Sequence, residues 1–273
     1  MIVATHIPRA PLNKFLELMW FHEGLNRDHR LERVLPEGSM ELIINLRDED
    51  RYVFDRLSYR PQRSYRRSWL SGPHSEFIII NTAPNASMIG AHFRPGGANA
   101  FFGLPLVELR NTVVDLEVFW NSAAETLRDQ LLAAPSPTDK FRIFENALLA
   151  RRRGLGPSHR AVRYALDYFM RHPQSATIGT VTDEVGLSPR RFIEVFTEQV
   201  GMTPKLFCRV RRFQRALSQI QQRGDVIWAD LAVECGYYDQ AHFIYDFKKF
   251  CGITPSDYLK QDPEYPNFVP IVS

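Results

Sequence analysis

The sequence predicts an α+β chain. An N-terminal mixed part of short strands with helices on it forms a small β-barrel or sandwich, and an all-α C-terminal part holds two helix, turn, helix units joined by one long helix. Three observations lead there. The stretch "GYYDQAHFIYDFKKFCGITPSDYL" (236–259) has a near copy in "GLSPRRFIEVFTEQVGMTPKLF" (186–207). Between the copies, "TPKLFCRVRRFQRALSQIQQ" (203–222) keeps Leu206, Val210, Phe213, Leu217 and Ile220 at helical spacing. Ahead of both lie short apolar runs broken by Pro, Gly and Asn, the pattern of strands.

In chain order, "PLNKFLELMWF" (11–21) sets Leu12, Phe15, Leu16 and Met19 on one side of a helix. The segments "LERVLPEGSMELIINL", "RYVF", "SEFIIIN" and "SMIGAHF" read as strands. "RPGGANAFFG" (94–103) lacks the GxxxxGK[ST] order of a phosphate loop, so Gly96 and Gly97 read as a turn, with Arg94 as a candidate contact to an anion. From Pro105 helices return. Ser122 and Glu125 have capping-box spacing ahead of Leu127, Leu131 and Leu132, and a helix with Phe141, Phe144 and Leu148 follows "APSP". His6, His22, His29, His74 and His92 are scattered without an HxH or HExxH pattern, so no metal, cofactor or catalytic residue is expected.

In the C-terminal part Phe192, Phe196, Gly201, Thr203, Pro204 and Phe207 line up with Phe243, Phe247, Gly252, Thr254, Pro255 and Tyr258 at a constant offset. Upstream, "VTDEVG" (181–186) matches "LAVECG" (231–236) at an offset one smaller, so the second copy has an extra residue in its turn. Gly186 suits the left-handed residue that ends a helix, Ser188 caps the next one, and Pro189 takes its first position; Asp239 is the corresponding cap in the second copy. Phe192, Phe196 and Val200 fall on one stripe, as do Phe243, Phe247 and Phe250, which makes these aromatics core. The opposite faces are polar. A helix anchored by an apolar stripe and presenting such groups is what a major groove accepts.

Composition supports this division. The 273 residues are 44% apolar, enough for two well-packed domains. Cys208, Cys235 and Cys251 form no CxxC pair and read as buried, reduced thiols. No apolar run approaches the roughly 18 residues of a membrane span. The N-terminus lacks the pattern of a signal peptide, so a cytoplasmic protein is expected. Net charge is +3, but residues 151–262 hold 17 Lys or Arg against 12 Asp or Glu while the remainder holds 17 against 19. Runs at 151–153, 190–191, 209–212 and 248–249 make nucleic acid a candidate partner.

Residues 158–262 resemble the DNA-binding domain of the AraC family of bacterial transcription regulators, whose second unit ends in a pattern like "DQAHFIYDFKKFCGITPSDY". The resemblance implies sequence-specific binding of double-stranded promoter DNA by two recognition helices in successive major grooves, roughly 34 Å apart. By the family pattern Arg190, Arg191 and Glu194 read the first groove, and Gln240, Ala241 and Tyr245 the second. Arg suits guanine, Gln suits adenine, and the Ala methyl suits thymine's methyl. Ser188, Lys205, Arg209, Arg212, Lys248 and Lys249 are expected at phosphates, which fix position without reading sequence. Two positions depart from the pattern: Thr182 stands where the family has a small Ala, matched here by Ala232, and Tyr245 stands where Arg is common.

"RLERVLPEGSMELIINL" and "GAHFRPGGANAFFGLPLVELRNTVVDLEVFW" resemble an N-terminal domain found ahead of AraC-type units. By analogy with sensory domains of the wider family, this is a cupin-like barrel that takes a small-molecule effector or makes a homodimer; RNA polymerase is the protein partner such a regulator implies. The expected division is residues 1–152 for sensing or dimerisation, 158–262 for DNA binding and 263–273 as a tail. The alternatives are an enzyme acting through an N-terminal pocket near His74 or His92, targeted by the C-terminal part, and an architectural protein whose repeat is a scaffold.

Overall fold

The computed structural model describes residues 1–152, 159–173, 177–222, 226–261 and 263–271. The expected boundaries at 158 and 262, Arg153 of the basic run and the last two residues of the tail lie outside the described residues. The strands of the first part are β1 (Ile2–His6), β2 (Leu16–Leu25), β3 (Leu31–Val34), β4 (Glu41–Asn45), β5 (Arg51–Phe54), β6 (Pro61–Tyr65), β7 (Ser68–Ser71), β8 (Ile78–Asn81), β9 (Ala86–Phe93) and β10 (Val113–Asp115). Its helices are α1 (Asn99–Phe102), α2 (Glu117–Trp120), α3 (Ser122–Ala133) and α4 (Pro137–Arg151). The second part is helical: α5 (Arg160–Arg171), α6 (Ile178–Val185), α7 (Pro189–Val200), α8 (Pro204–Gln222), α9 (Trp228–Glu234), α10 (Gln240–Cys251) and α11 (Pro255–Gln261). A final strand, β11 (Phe268–Pro270), follows.

Two antiparallel sheets form a sandwich, one of six strands ordered β1-β2-β9-β4-β7-β10 and one of five ordered β11-β3-β8-β5-β6. Alternation along the strands supplies both faces of the larger sheet. On β4, Leu42 and Ile44 pack under the helices with Phe93, Phe101, Leu127 and Phe144. Ile43 points the other way, toward Tyr65, Trp69, Val53 and Ile78 between the sheets. The first part is thus three layers: helices, six-stranded sheet, five-stranded sheet.

Two local expectations are corrected. Residues 11–21 form a short 3-10 turn at Leu12–Lys14 followed by strand β2, not a helix. A register shift between Leu16 and Leu18 against β9 inserts one residue, so buried Leu16, Met19 and Phe21 are spaced by three and then two. A bulge therefore mimics helical periodicity. At α3 the residue before the helix is Asn121 at φ 49, with no side-chain cap. Ser122 sits inside the first turn, and Glu125 pairs outward with Arg67 at 2.6 Å. The helix after "APSP" does form, capped by Ser136, which accepts from Asp139 N at 3.1 Å.

The C-terminal segment is not a free tail. Strand β11 pairs antiparallel with β3, Val269 opposite Arg33, and becomes the edge of the five-stranded sheet. Pro270, which has no N–H to donate, is tolerated at such an edge. Val269 and Leu35 are buried in the core of the helical part, and the Tyr258 hydroxyl donates to Pro266 O at 2.9 Å, so the strand ties the two parts together.

Beside it, Gln214 donates to Pro36 O at 2.9 Å and to Asn267 Oδ1 at 2.8 Å, Arg211 donates to Glu37 O at 3.3 Å, and Asn267 donates to the Glu37 carboxylate. His92 lies between Glu41, at 3.2 Å, and Glu37, at 3.4 Å. Burial works against the charge of His92, but the hydrogen bond and charge of Glu41, with Glu37 and Glu17, prevail and raise its pKa from 6.5 to about 9.

Truncation that removes residues 264–273 should expose Val269's partners and unpair the β3 edge. Unfolding transitions followed by near-UV and far-UV signals, coincident in the full chain, should separate in the truncated one. A second expectation follows from His92, whose raised pKa adds stability that is complete below about pH 6.5 and lost as pH rises through about 9. Urea midpoints measured from pH 6 to 10 should fall more steeply for the native chain than for His92→Gln.

Candidate nucleic-acid interface

Each half of the repeat builds the same local structure. In the first, Thr177 caps α6, Gly186 ends it in the left-handed region at φ 67, and Ser188 Oγ accepts from Arg191 N at 3.3 Å to start α7. In the second, Gly236 at φ 80 follows α9, and Asp239 accepts from His242 N at 2.7 Å to start α10. These caps satisfy donors that the first turn of a helix leaves unpaired.

Phe192, Phe196, Phe243, Phe247 and Phe250 are all fully buried. Burial of each such side chain is worth about 1.5–3 kcal/mol, which makes the stripe a structural anchor and not a base-stacking surface. The anchor runs through α8. Phe207 meets Phe196 at 5.8 Å between ring centres, and Phe213 meets Phe247 and Phe250 at 5.2 Å each.

The opposite faces of α7 and α10 are open. Arg190 and Arg191 are exposed and converge on Glu194, at 3.2 and 3.4 Å. Both hold the Glu194 carboxyl below its ordinary pKa through hydrogen bonds. Such surface pairs are weak and easily exchanged. On α10, Gln240, Ala241 and Tyr245 are exposed, Tyr245 at 66%. Lys205, Lys248 and Lys249 are exposed as well, and the Ser188 hydroxyl, though it caps α7, lies at the surface. Thr182 is buried, with its hydroxyl donating to Gly179 O at 3.0 Å, so the polar replacement for Ala is satisfied within its own helix.

Two residues expected at phosphates turn inward. Arg209 makes a two-pronged bond to Asp246, at 3.2 and 2.6 Å, and stacks over Phe250 at 5.5 Å. Arg212 donates to Gly236 O at 2.9 Å and covers the Tyr237 ring at 5.3 Å. Moving Arg209 to a phosphate would strand a carboxylate that is 1% exposed, and uncompensated buried charge costs about 3–5 kcal/mol. Arg209 therefore locks α10 to α8. Asp246 escaped the sequence reading, although its position within the Phe243, Phe247 and Phe250 stripe is the signal for a buried acid needing a partner.

The remaining candidates do not gather. Arg94 donates to Asn13 O at 3.0 Å. His74 lies 3.0 Å from Ser71 Oγ with its pKa lowered by burial to about 4, and His92 belongs to the contact between the two parts.

The helices α7 and α10 end against the sheet part. Gly201 and Gly252, at φ 84 and 81, close α7 and α10. A Cβ on Gly201 would collide with Pro73 and lie 2.9 Å from Leu106 O, and one on Gly252 would lie 2.7 Å from the Phe77 ring. Glycine is needed at both places for backbone conformation and for space.

Arg209→Met should cost about 3–5 kcal/mol in urea unfolding because it leaves the buried Asp246 carboxylate without its guanidinium, whereas Asp246→Leu combined with Arg209→Met should recover most of that loss. A double-mutant cycle on these two positions checks it.

Residues 181–261 match the family described as "Helix-turn-helix domain", and residues 4–115 match "Domain of unknown function (DUF6597)". Over 63 residues the chain is 41% identical to the "HTH-type transcriptional regulator GadX" of Escherichia coli O127:H6 (strain E2348/69 / EPEC), an alignment spanning 23% of this chain and 23% of that regulator. Among solved structures, ToxT from Vibrio cholerae aligns over 89% of this chain and 98% of its own, at 10% identity and a TM-score of 0.49. The C-terminal domain of AraT, a response regulator from Geobacillus stearothermophilus, aligns over 38% of this chain and 86% of its own, at 23% identity and a TM-score of 0.36. Residues 181–261 are thus similar to a helix-turn-helix domain and residues 4–115 to the DUF6597 domain, and the chain spans 23% of the length of the curated regulator it matches.

Proposed function

We propose that the protein is a sequence-specific transcription regulator that reads promoter DNA with α7 and α10 in successive major grooves. The observation that carries this reading is the duplicated helix with an exposed polar face over a buried Phe stripe, both copies locked to α8. Arg190, Arg191 and Glu194 face the first groove, and Gln240, Ala241 and Tyr245 the second. Ser188, Lys205, Lys248 and Lys249 hold phosphates, while Arg209 and Arg212 hold the domain together.

In the same reading residues 1–152 sense a small effector or join a second copy, residues 158–262 bind DNA, and the described segment 263–271 links the two. RNA polymerase is the protein partner, and no catalytic step is assigned. Among the described residues no helix is long and apolar enough to cross a membrane, which suits a cytoplasmic partner of DNA.

Selection of duplexes from a random pool by the full chain should enrich two short elements about one helical turn apart; enrichment of no sequence over bulk DNA overturns the reading. On the enriched duplex, Arg190→Ala should relax base preference at one position at a cost of about 1–3 kcal/mol. Lys205→Ala should weaken all duplexes alike and lower the salt slope by about 1. Binding isotherms at several salt concentrations check both.

A further inference from the structure

The slightly acidic total of the sheet part hides a basic edge. Between Asp55 and Arg67 the chain carries Arg56, Arg60, Arg63, Arg66 and Arg67 against the single acid Asp55. Asp55 is occupied in closing the turn, where its Oδ1 accepts from Leu57 N, Ser58 N and Ser58 Oγ and its Oδ2 from Gln62. Residues 56–64 are all exposed. Arg56 pairs with Glu76, Arg67 pairs with Glu125, and Arg66 donates to Asp48 O at 3.2 Å. Among the described residues, Arg60 and Arg63 have no carboxylate partner, and Arg63 lies over the Tyr65 ring at 5.6 Å.

The fold sets the start of this hairpin, at Arg56, beside the C-terminal end of α10. Phe54 stands opposite Ile79, so the turn after β5 lies next to the start of β8 and to Phe77. The Arg56 guanidinium lies 5.6 Å from the centre of the Phe77 ring, and Phe77 fills the space where a Cβ on Gly252 would be, 2.7 Å away. On α10, Ala241, Tyr245, Lys248 and Gly252 recur at spacings of three and four, so Gly252 ends the exposed stripe that begins with the reading residues. The hairpin turn therefore starts, at Arg56, next to the foot of that stripe and runs on from there through Arg60 to Arg63.

We propose that the β5–β6 hairpin, through Arg60 and Arg63, is a third DNA contact, holding backbone phosphates beyond the element read by α10. The proposal rests on the DNA-reading function above. Unpaired guanidiniums on an exposed hairpin suit phosphate, which they bind by charge and paired hydrogen bonds without reading a base. The sheet part then joins the helical part in gripping the duplex.

The test uses the full chain and the duplex enriched by selection, in a long form and in a form trimmed by about one turn on the α10 side. The native chain should bind the trimmed duplex more weakly, and Arg60→Ala/Arg63→Ala should bind both lengths equally. Loss of two phosphate contacts should lower the salt slope by about 1.8, so between 50 and 200 mM salt the native chain loses about tenfold more affinity than the variant. Arg60→Lys/Arg63→Lys should restore most of the slope, and thermal unfolding should be unchanged in both variants because the side chains are exposed. A native salt slope in the Ala variant, or equal weakening on both lengths, overturns the proposal and turns the hairpin toward an acidic protein surface. A native chain that binds no duplex overturns the regulator reading along with it.

Discussion

The buried aromatic stripe of α8 is the constraint on which the rest of the interface depends. Phe207 is engaged with Phe169 and Phe196 of the first unit, and Phe213 with Phe247 and Phe250 of the second. These two anchors are six residues apart on one uninterrupted helix, about 9 Å along its axis. Neither unit can shift along α8 without emptying a close-packed site, and interiors of that density change arrangement discretely and not smoothly. The spacing of α7 and α10 is therefore a property of the protein, and in the proposed function it is the DNA site that conforms to it by its own spacing and shape.

The pair Arg209–Asp246 adds orientation to that spacing. Aromatic packing tolerates some rotation of α10 about its axis, but a two-pronged bond to a buried carboxylate does not. Its cost of desolvation means that it contributes little net stability, and its effect is to select one rotation of the helix over the others. The exposed stripe of Ala241 and Tyr245 faces outward because the inward position is held by Asp246.

The sheet part meets this assembly at the ends of α7 and α10 and again at β11. The glycine ends admit Pro73, Leu106 and Phe77 to within contact of the helix backbones, and β11 carries the chain back into the five-stranded sheet after the last helix. Between these contacts lies the polar group of Glu37, His92, Arg211, Gln214 and Asn267. An apolar face is indifferent to small rotations, whereas these hydrogen bonds have direction. The two parts are consequently held in one orientation.

What the sequence by itself determined is the helical part: the repeat, its caps, the linking helix and the aromatic core. All rest on local spacing and on residue types whose preferences act within a turn or two. Local spacing misled where the backbone departs from regularity, as at residues 11–21, where a bulge gives a strand the period of a helix. It misled at Ser122, where Asn121 takes the cap position in a backbone conformation that no side-chain pattern announces. Tertiary structure alone decided which charges are free. Arg190 and Arg209 are the same residue type on neighbouring helices, but one faces solvent and the other meets an aspartate 37 positions away. It also decided that residues 268–270 form a strand and that the basic hairpin starts next to the end of α10. Charge acts through space across long sequence separations, so neither the partner of a cation nor the neighbourhood of a loop is written in the residues next to it.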